Sequence, residues 1–241
     1  MASDPFGLVG TIVDGRYRVE RSAGQGGFGV VYRAYHLAFE SPIALKVLKL
    51  PEHWQPEQRA RRIASFQREG RMLFELSRLH PAIVRAFETG VILGRDGAAA
   101  PYLALEWLDG VSLDQALRHR RSSGLPPLTL PEVLRLLHGP AAGLALAHAR
   151  GIVHRDIKPA NLFVLSPASA REVKILDFGI AKLVDSGAST TAQLALTSGA
   201  TASFTPMYAA PEQWLERLGA TGAWTDVHAL ALVCTELLTG T

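Results

Sequence analysis

His154-Arg155-Asp156-Ile157-Lys158-Pro159-Ala160-Asn161, joined downstream by Asp177-Phe178-Gly179, is the stretch on which the reading of this chain turns. With one choice in twenty at each position, His154, Arg155, Asp156, Lys158 and Asn161 meet at this spacing by chance in about one such chain in ten thousand. A polar surface turn does not account for that coincidence. The residue types also form a chemical set. Asp156 offers a carboxylate to an acceptor hydroxyl, Lys158 a cation for a moving phosphoryl group, and Asn161 and Asp177 offer oxygen ligands of the kind magnesium prefers.

The rest of the chain sets bounds on what can hold such a loop. Its 241 residues, 48% hydrophobic and 20% charged, describe a globular protein with room for one large domain or two lobes. The formal charge of +3 is spread rather than gathered into a basic run, so nucleic acid is not an expected partner and a phosphate ligand explains the excess equally well. The single cysteine, Cys234, excludes a disulfide framework and a cysteine zinc site, and reads as a small buried hydrophobe. Residues 1–10 lack a signal-peptide pattern and no apolar run approaches the roughly 18 residues of a membrane span, which predicts a cytoplasmic piece without a membrane segment.

Upstream of the loop, residues 17–50 alternate β-branched and aromatic runs with Gly-rich breaks, predicting an antiparallel meander. Ile63, Phe66, Leu73 and Leu76 then recur at helical spacing, predicting an amphipathic helix over 57–79. Strand-like runs return at 83–92 and 102–108, after which the pattern is mainly helical, with the lobe boundary at Asp109 and Gly110. A Ser/Gly/Pro-rich loop is expected at 120–131, and a helix over 130–150 capped by Gly151. Gly139 and Pro140 should bend or split that helix, since an interior proline costs about 3 kcal/mol. The small and polar stretch 184–205 reads as a long loop, and 226–238 as a final helix.

Three further features can be read alone. Gly24-Gln25-Gly26-Gly27-Phe28-Gly29 lies where a strand turns and returns, so backbone N–H groups can approach phosphates; a glycine-rich hairpin with no ligand fits these residues as well. A dinucleotide fold would need a helix straight afterwards, and a strand follows instead. In Ile43-Ala44-Leu45-Lys46-Val47 the period of two sends Ala44 and Lys46 to one face, where Lys46 needs an anionic partner unless it is a solvated edge lysine. Glu69 lies on the apolar stripe of the predicted helix and is the candidate partner, the alternative being a solvated charge. Gly70 beside it should weaken the helix by about 1 kcal/mol, consistent with a helix that moves.

Taken together, these motifs resemble the eukaryotic-like, bacterial-type protein serine/threonine kinases, from Tyr17 to the C-terminus. The resemblance implies a two-lobed α+β fold: an antiparallel-sheet lobe with one key helix (1–109) and a mainly helical lobe (110–241), using ATP and magnesium, with manganese as an alternative ion. It implies that Asp156 orients and deprotonates the acceptor, Lys158 neutralises the phosphoryl group, and Asn161 and Asp177 hold metal. Lys46 would bind the α/β-phosphates and pair with Glu69. The nucleotide would be lined by Ala23, Gly24, Gln25, Gly26, Gly27, Phe28 and Gly29, with Val31, Ala44 and Phe163 around the base, Leu105 as gatekeeper, and the backbones of Glu106 and Leu108 at adenine. Thr205 would contact Asp156 and Lys158, making a Ser or Thr of a protein the expected acceptor. Arg155 before Asp156 marks kinases ordered by loop phosphorylation, so autophosphorylation by self-association is expected within 190–203; a merely flexible polar loop is the alternative.

Departures from the pattern are few. Phe204 and Ala231 stand where the family usually has glycine, whereas Asp226 matches an aspartate that anchors the catalytic-loop backbone. Relatives continue beyond Leu238-Thr239-Gly240 with helices that carry an arginine partner for Glu212, so a C-terminally truncated domain is expected, with Glu212 unpaired or solvated. Two rival readings remain at this point. One is a nucleotide-binding pseudokinase or scaffold; the other is a small-molecule phosphotransferase, against which Thr205 and Ala210-Pro211-Glu212 favour a protein acceptor.

Overall fold

The computed structural model describes residues 4–26, 29–51, 53–93, 97, 99–165, 172–178 and 206–241. They divide into two compact units, one comprising residues up to Glu75 with Arg85–Trp107, the other comprising residues 76–84 with those from Leu108 onward.

The first unit is built on a six-stranded antiparallel sheet in the order β1-β2-β3-β4-β6-β5. Its strands are β1 (Ile12–Val13), β2 (Tyr17–Gly26), β3 (Gly29–His36), β4 (Ser41–Leu48), β5 (Ala86–Leu93) and β6 (Ala99–Glu106). The expected meander is present, and alternation along β4 decides which side chains meet. Ile43, Leu45 and Val47 enter one apolar cluster with Val30, Tyr32, Tyr102 and Ala104, and with Leu8 and Val13 from the N-terminal segment. Lys46 belongs to the opposite face, in register with Val31 and Leu103.

Helix α1 (Pro56–Ser77) lies on that opposite face and ends two residues short of the predicted 79. Gly70 shows why it can come so close: a Cβ built there would sit 2.2 Å from Thr89 Cγ2 and 3.3 Å from Leu103 Cδ1. The glycine is therefore a steric requirement of helix-on-sheet packing, which the helix propensity argument alone did not reveal.

In the second unit, α2 (Leu113–Ser122) opens on a capping box, with Ser112 Oγ accepting from Gln115 N–H and Gln115 Oε1 accepting from Ser112 N–H. This helix occupies the beginning of the stretch expected to be loop from residue 120, because the box and buried Leu113 and Leu117 carry it further. Helix α3 (Leu130–His148) runs through Pro140 unsplit. Pro140 is buried with Leu136, Leu137 and Leu144, so tertiary packing offsets the missing hydrogen bond. Gly139 and Gly143 keep that face thin, since Cβ atoms there would come 3.4 Å from Ala82 and 3.4 Å from His80 and Ile175.

A small sheet also lies in this unit, β7 (Gly110–Ser112), β8 (Leu162–Leu165) and β9 (Val173–Ile175), in that order. Ile175 bridges Ile83 in parallel, and its N–H donates to Ala82 O while its carbonyl accepts from Val84 N–H. Those bonds explain why 76–84 group with the second unit. Short helix α4 (Pro211–Trp214) and helix α5 (Ala223–Thr239) complete it, the latter stopped by Gly240 at φ 78°. Cys234, expected to be buried, is partly exposed on α5.

Gly70→Ala tests the packing directly. Helix propensity alone predicts a gain, whereas the clash with Thr89 predicts a loss of about 1–3 kcal/mol in urea unfolding. Combining it with Thr89→Ser, which deletes the clashing methyl, should recover most of the loss.

Candidate active site

In the first unit the glycine-rich hairpin forms from β2 and β3, with Gly26 opposite Gly29, Gln25 opposite Val30 and Gly24 opposite Val31. Ala23, Gly24, Gln25 and Gly26 are exposed. Gly27 and Phe28 lie outside the described residues. Gly29 is fixed by sterics, because a Cβ there would lie 2.1 Å from Val47 O, whereas Cβ atoms at Gly24 and Gly26 would meet no described atom within 4 Å. Ala44 pairs with Arg33 on one side and Leu105 on the other. Glu106, closing β6, has its N–H donated to Arg85 O, and its carboxylate accepts from Arg85 N–H at 2.7 Å.

Lys46 and Glu69 are both buried, at 9% and 2% exposure. Ser65 Oγ donates to Glu69 Oε1 at 3.1 Å, one turn away on the helix. Oε2 has no hydrogen-bond partner among the described residues. Burial pushes the carboxyl up to about 7; Arg62, the Ser65 hydrogen bond, Arg68 and Lys46 pull the other way, in that order of strength.

In the second unit the loop is organised around two buried groups. Asp226, fully buried near the start of α5, accepts from His154 N–H at 2.8 Å, from Arg155 N–H at 2.7 Å and from His148 Nε2 at 2.7 Å. His154, also fully buried, accepts from Asp156 N–H through Nδ1 at 3.2 Å. An N–H can only donate, so the ring proton is on Nε2, which donates to Leu176 O at 2.8 Å. Burial lowers the basicity of the ring, in keeping with a neutral imidazole tilted against Phe178 with ring centres 4.8 Å apart.

This frame brings the reactive set together. Asn161 Nδ2 donates to Asp156 O at 2.7 Å and to Asp156 Oδ2 at 3.0 Å, and Lys158 Nζ lies 3.1 Å from the same Oδ2. Arg155 and Asp177 take left-handed φ values of 64° and 54°. Asn161 O accepts from Leu176 N–H at 2.8 Å, tying the loop to the residue before Asp177. Phe163 sits in β8 between Ser112 and Lys174, and Leu108 is partly buried. Glu212, expected to lack a partner, accepts from Thr225 Oγ1 at 2.6 Å. Thr205, Gly179 and the expected phosphorylation stretch 190–203 lie outside the described residues.

Sequence reading missed three supporting groups: Ser65 on Glu69, His148 on Asp226, and Gln213, whose Nε2 donates to Arg155 O at 2.9 Å. The last two act across 78 and 58 residues of chain, so no local pattern marks them.

For a divalent cation the fit is good. Asn161 has committed its amide nitrogen to Asp156, which turns its oxygen end to other uses, and with Asp177 it supplies the hard oxygen donors that suit magnesium completed by phosphate. Among the described residues no group of three His, Cys, Asp or Glu could hold a metal by itself, and no helix is long and apolar enough to cross a membrane.

A sheet-based unit, a helical unit, and a loop that seats an aspartate between a lysine and an asparagine define the protein kinase class. The chain belongs to the protein kinase domain family, whose sequence pattern matches residues 17–241. It is 38% identical over 240 residues to the serine/threonine-protein kinase Pkn1 of Myxococcus xanthus, covering 99% of this chain and 30% of that protein. It is 34% identical over 226 residues to the serine/threonine-protein kinase PknB of Mycobacterium tuberculosis, covering 93% and 32%. The chain thus spans about a third of the length of these relatives. The crystal structure of the Mycobacterium tuberculosis PknI kinase domain superposes with a TM-score of 0.68 at 30% identity, over 97% of this chain and 78% of that one. Kinases of this family use ATP and a divalent metal in general.

Glu69 gives a signed pH prediction. Its folded pKa of about 7 exceeds the ordinary 4.5, so its contribution to stability is fully present below pH 4.5 and is lost as pH rises through 7. Urea unfolding of Glu69→Gln should lack that fall, leaving the variant more stable than the parent at pH 8 by up to about 3 kcal/mol, with the gap closing near pH 5.

Proposed function

We propose that this chain transfers the γ-phosphate of ATP to a serine or threonine hydroxyl of a protein, with magnesium, or manganese in its place. The observation that carries this reading is the Asp156 carboxylate, oriented by Asn161 and Lys158 on a loop pinned by Asp226. A carboxylate so held can take the acceptor proton as the hydroxyl attacks, while the Lys158 ammonium lies where negative charge accumulates. When bound, the metal neutralises phosphate charge; Asn161 and Asp177 are the residues we assign to hold it.

The first unit is read as the nucleotide lobe and the second as the catalytic lobe. Lys46 binds phosphate and pairs with Glu69, a step that requires the Glu69 carboxyl to ionise. The open surroundings of Gly24 and Gly26 favour the hairpin as a phosphate loop, with Ala23, Gln25, Gly27, Phe28 and Gly29 completing it. Val31, Ala44 and Phe163 border the base, Leu105 limits the pocket, and Leu108 offers backbone to adenine. Glu106 is likewise assigned to adenine through its backbone. Thr205 contacts Asp156 and Lys158, and Arg155 receives a phosphorylated loop residue after one copy acts on another. An ATP-dependent signalling activity of this kind belongs in the cytoplasm.

Radiolabelled ATP with a generic protein substrate tests the reaction. The chain should label it, and Asp156→Asn should reduce the rate by at least about a hundredfold while nucleotide binding persists. Equal labelling by the variant would remove Asp156 from the mechanism. In the same incubation, mass spectrometry should find phosphate on one or more of Thr190, Thr191, Thr197, Ser198, Thr201 and Ser203, and none in Asp156→Asn; an unmodified loop in the active parent would count against self-phosphorylation.

A further inference from the structure

Strands β2 and β3 set Arg21 directly opposite Arg33. Like charges in that relation destabilise a strand pair, so something must compensate. Both guanidiniums lie over one ring: the Cζ atoms of Arg21 and Arg33 are each 5.5 Å from the centre of the Trp107 side chain. That is within the range at which a cation is drawn to an aromatic face, and tryptophan is the strongest such acceptor. Glu20 completes the group by pairing with Arg33. Arg33 and Trp107 are partly buried, which limits screening of the attraction.

The position of this stack gives it a task. Arg21 and Arg33 belong to the base of the glycine-rich hairpin, and Trp107 follows Glu106 where the chain leaves β6. Arg33 pairs with Ala44, which pairs with Leu105, so the stack closes a circuit around residues assigned above to the base of the nucleotide. We propose that Trp107, through Arg21 and Arg33, is a positioning residue of the nucleotide site, holding the glycine-rich hairpin at a fixed height over the end of β6. The proposal rests on the ATP reading of the preceding subsection. Trp107 itself touches no reacting atom; it acts through the hairpin.

The experiment measures kcat, the KM for ATP, the Kd of a fluorescent ATP analogue and the melting temperature for the chain and for Trp107→Leu, Trp107→Tyr and Arg21→Met. Trp107→Leu keeps apolar bulk but loses the ring face. It should raise KM and Kd by about fivefold with kcat within about twofold, and Trp107→Tyr should recover most of the affinity. Arg21 is exposed, so Arg21→Met leaves packing intact and should show the same split to a smaller degree, with no further effect on top of Trp107→Leu. Unchanged KM and Kd in both Trp107→Leu and Arg21→Met overturn the proposal, as does a tyrosine variant no better than the leucine one. A parent that binds no nucleotide overturns the ATP reading along with it, whereas a parent that binds normally beside unaffected variants overturns the positioning role alone.

Discussion

The carboxylate of Asp226 accepts three hydrogen bonds in a fully buried position, two of them from consecutive backbone N–H groups of the loop that carries Asp156. At the second of these N–H groups the backbone turns into the left-handed region, with Arg155 at φ 64°. A non-glycine residue held there costs of the order of 1–3 kcal/mol, which surrounding bonds must offset. The Asp226 bonds do so from one side and Gln213, on the Arg155 carbonyl, from the other. The turn at Arg155 in turn places Asp156 N–H on His154 Nδ1, fixes the imidazole tautomer, and leaves Nε2–H for Leu176 just before the second left-handed residue, Asp177. One buried anion thereby orders both ends of the reactive set.

The same dependence explains what could be read from the sequence. The loop 154–161 was legible because its reactive residues lie close together in the sequence, Asn161 reaching Asp156 across five residues and His154 reaching Asp156 across two, whereas the distant groups that hold the loop left no local pattern. Strand β4 and helix α1 were legible because period two and period 3.6 survive burial on one face. The sheet β7-β8-β9 was not, since strands of three or four residues are too short to display a period and are held by pairings between distant segments. Pro140 misled for a related reason. A local penalty of about 3 kcal/mol is decisive in an isolated helix, but a buried position surrounded by Leu136, Leu137 and Leu144 can absorb it.

Glu69 illustrates the opposite balance, where burial is kept at an energetic disadvantage. Its carboxyl is nearly inaccessible, has one serine donor, and is held up near neutrality despite three cations in its neighbourhood. A glutamine would fill the same space without the desolvation penalty. A residue that burdens stability while a neutral isostere would relieve it is the kind expected where a charge is needed at some other stage of the protein's work, and Lys46 on the adjoining sheet face is one of the three cations near it.

Glycines carry the same lesson in steric form. Gly29 and Gly70 are demanded by protein atoms, the Val47 carbonyl in one case and the Thr89 methyl in the other. Gly24 and Gly26 are demanded by none: their φ values are not of the left-handed kind, and a Cβ would meet no described atom. Folding therefore gives no account of why the hairpin spends glycine at these two positions, where any small residue would fit and would lower the entropy of the unfolded chain. An external group that must approach the backbone closely does give one, and an anion drawn to N–H groups is the natural candidate. A phosphate at this hairpin would account for two glycines that no described part of the fold requires.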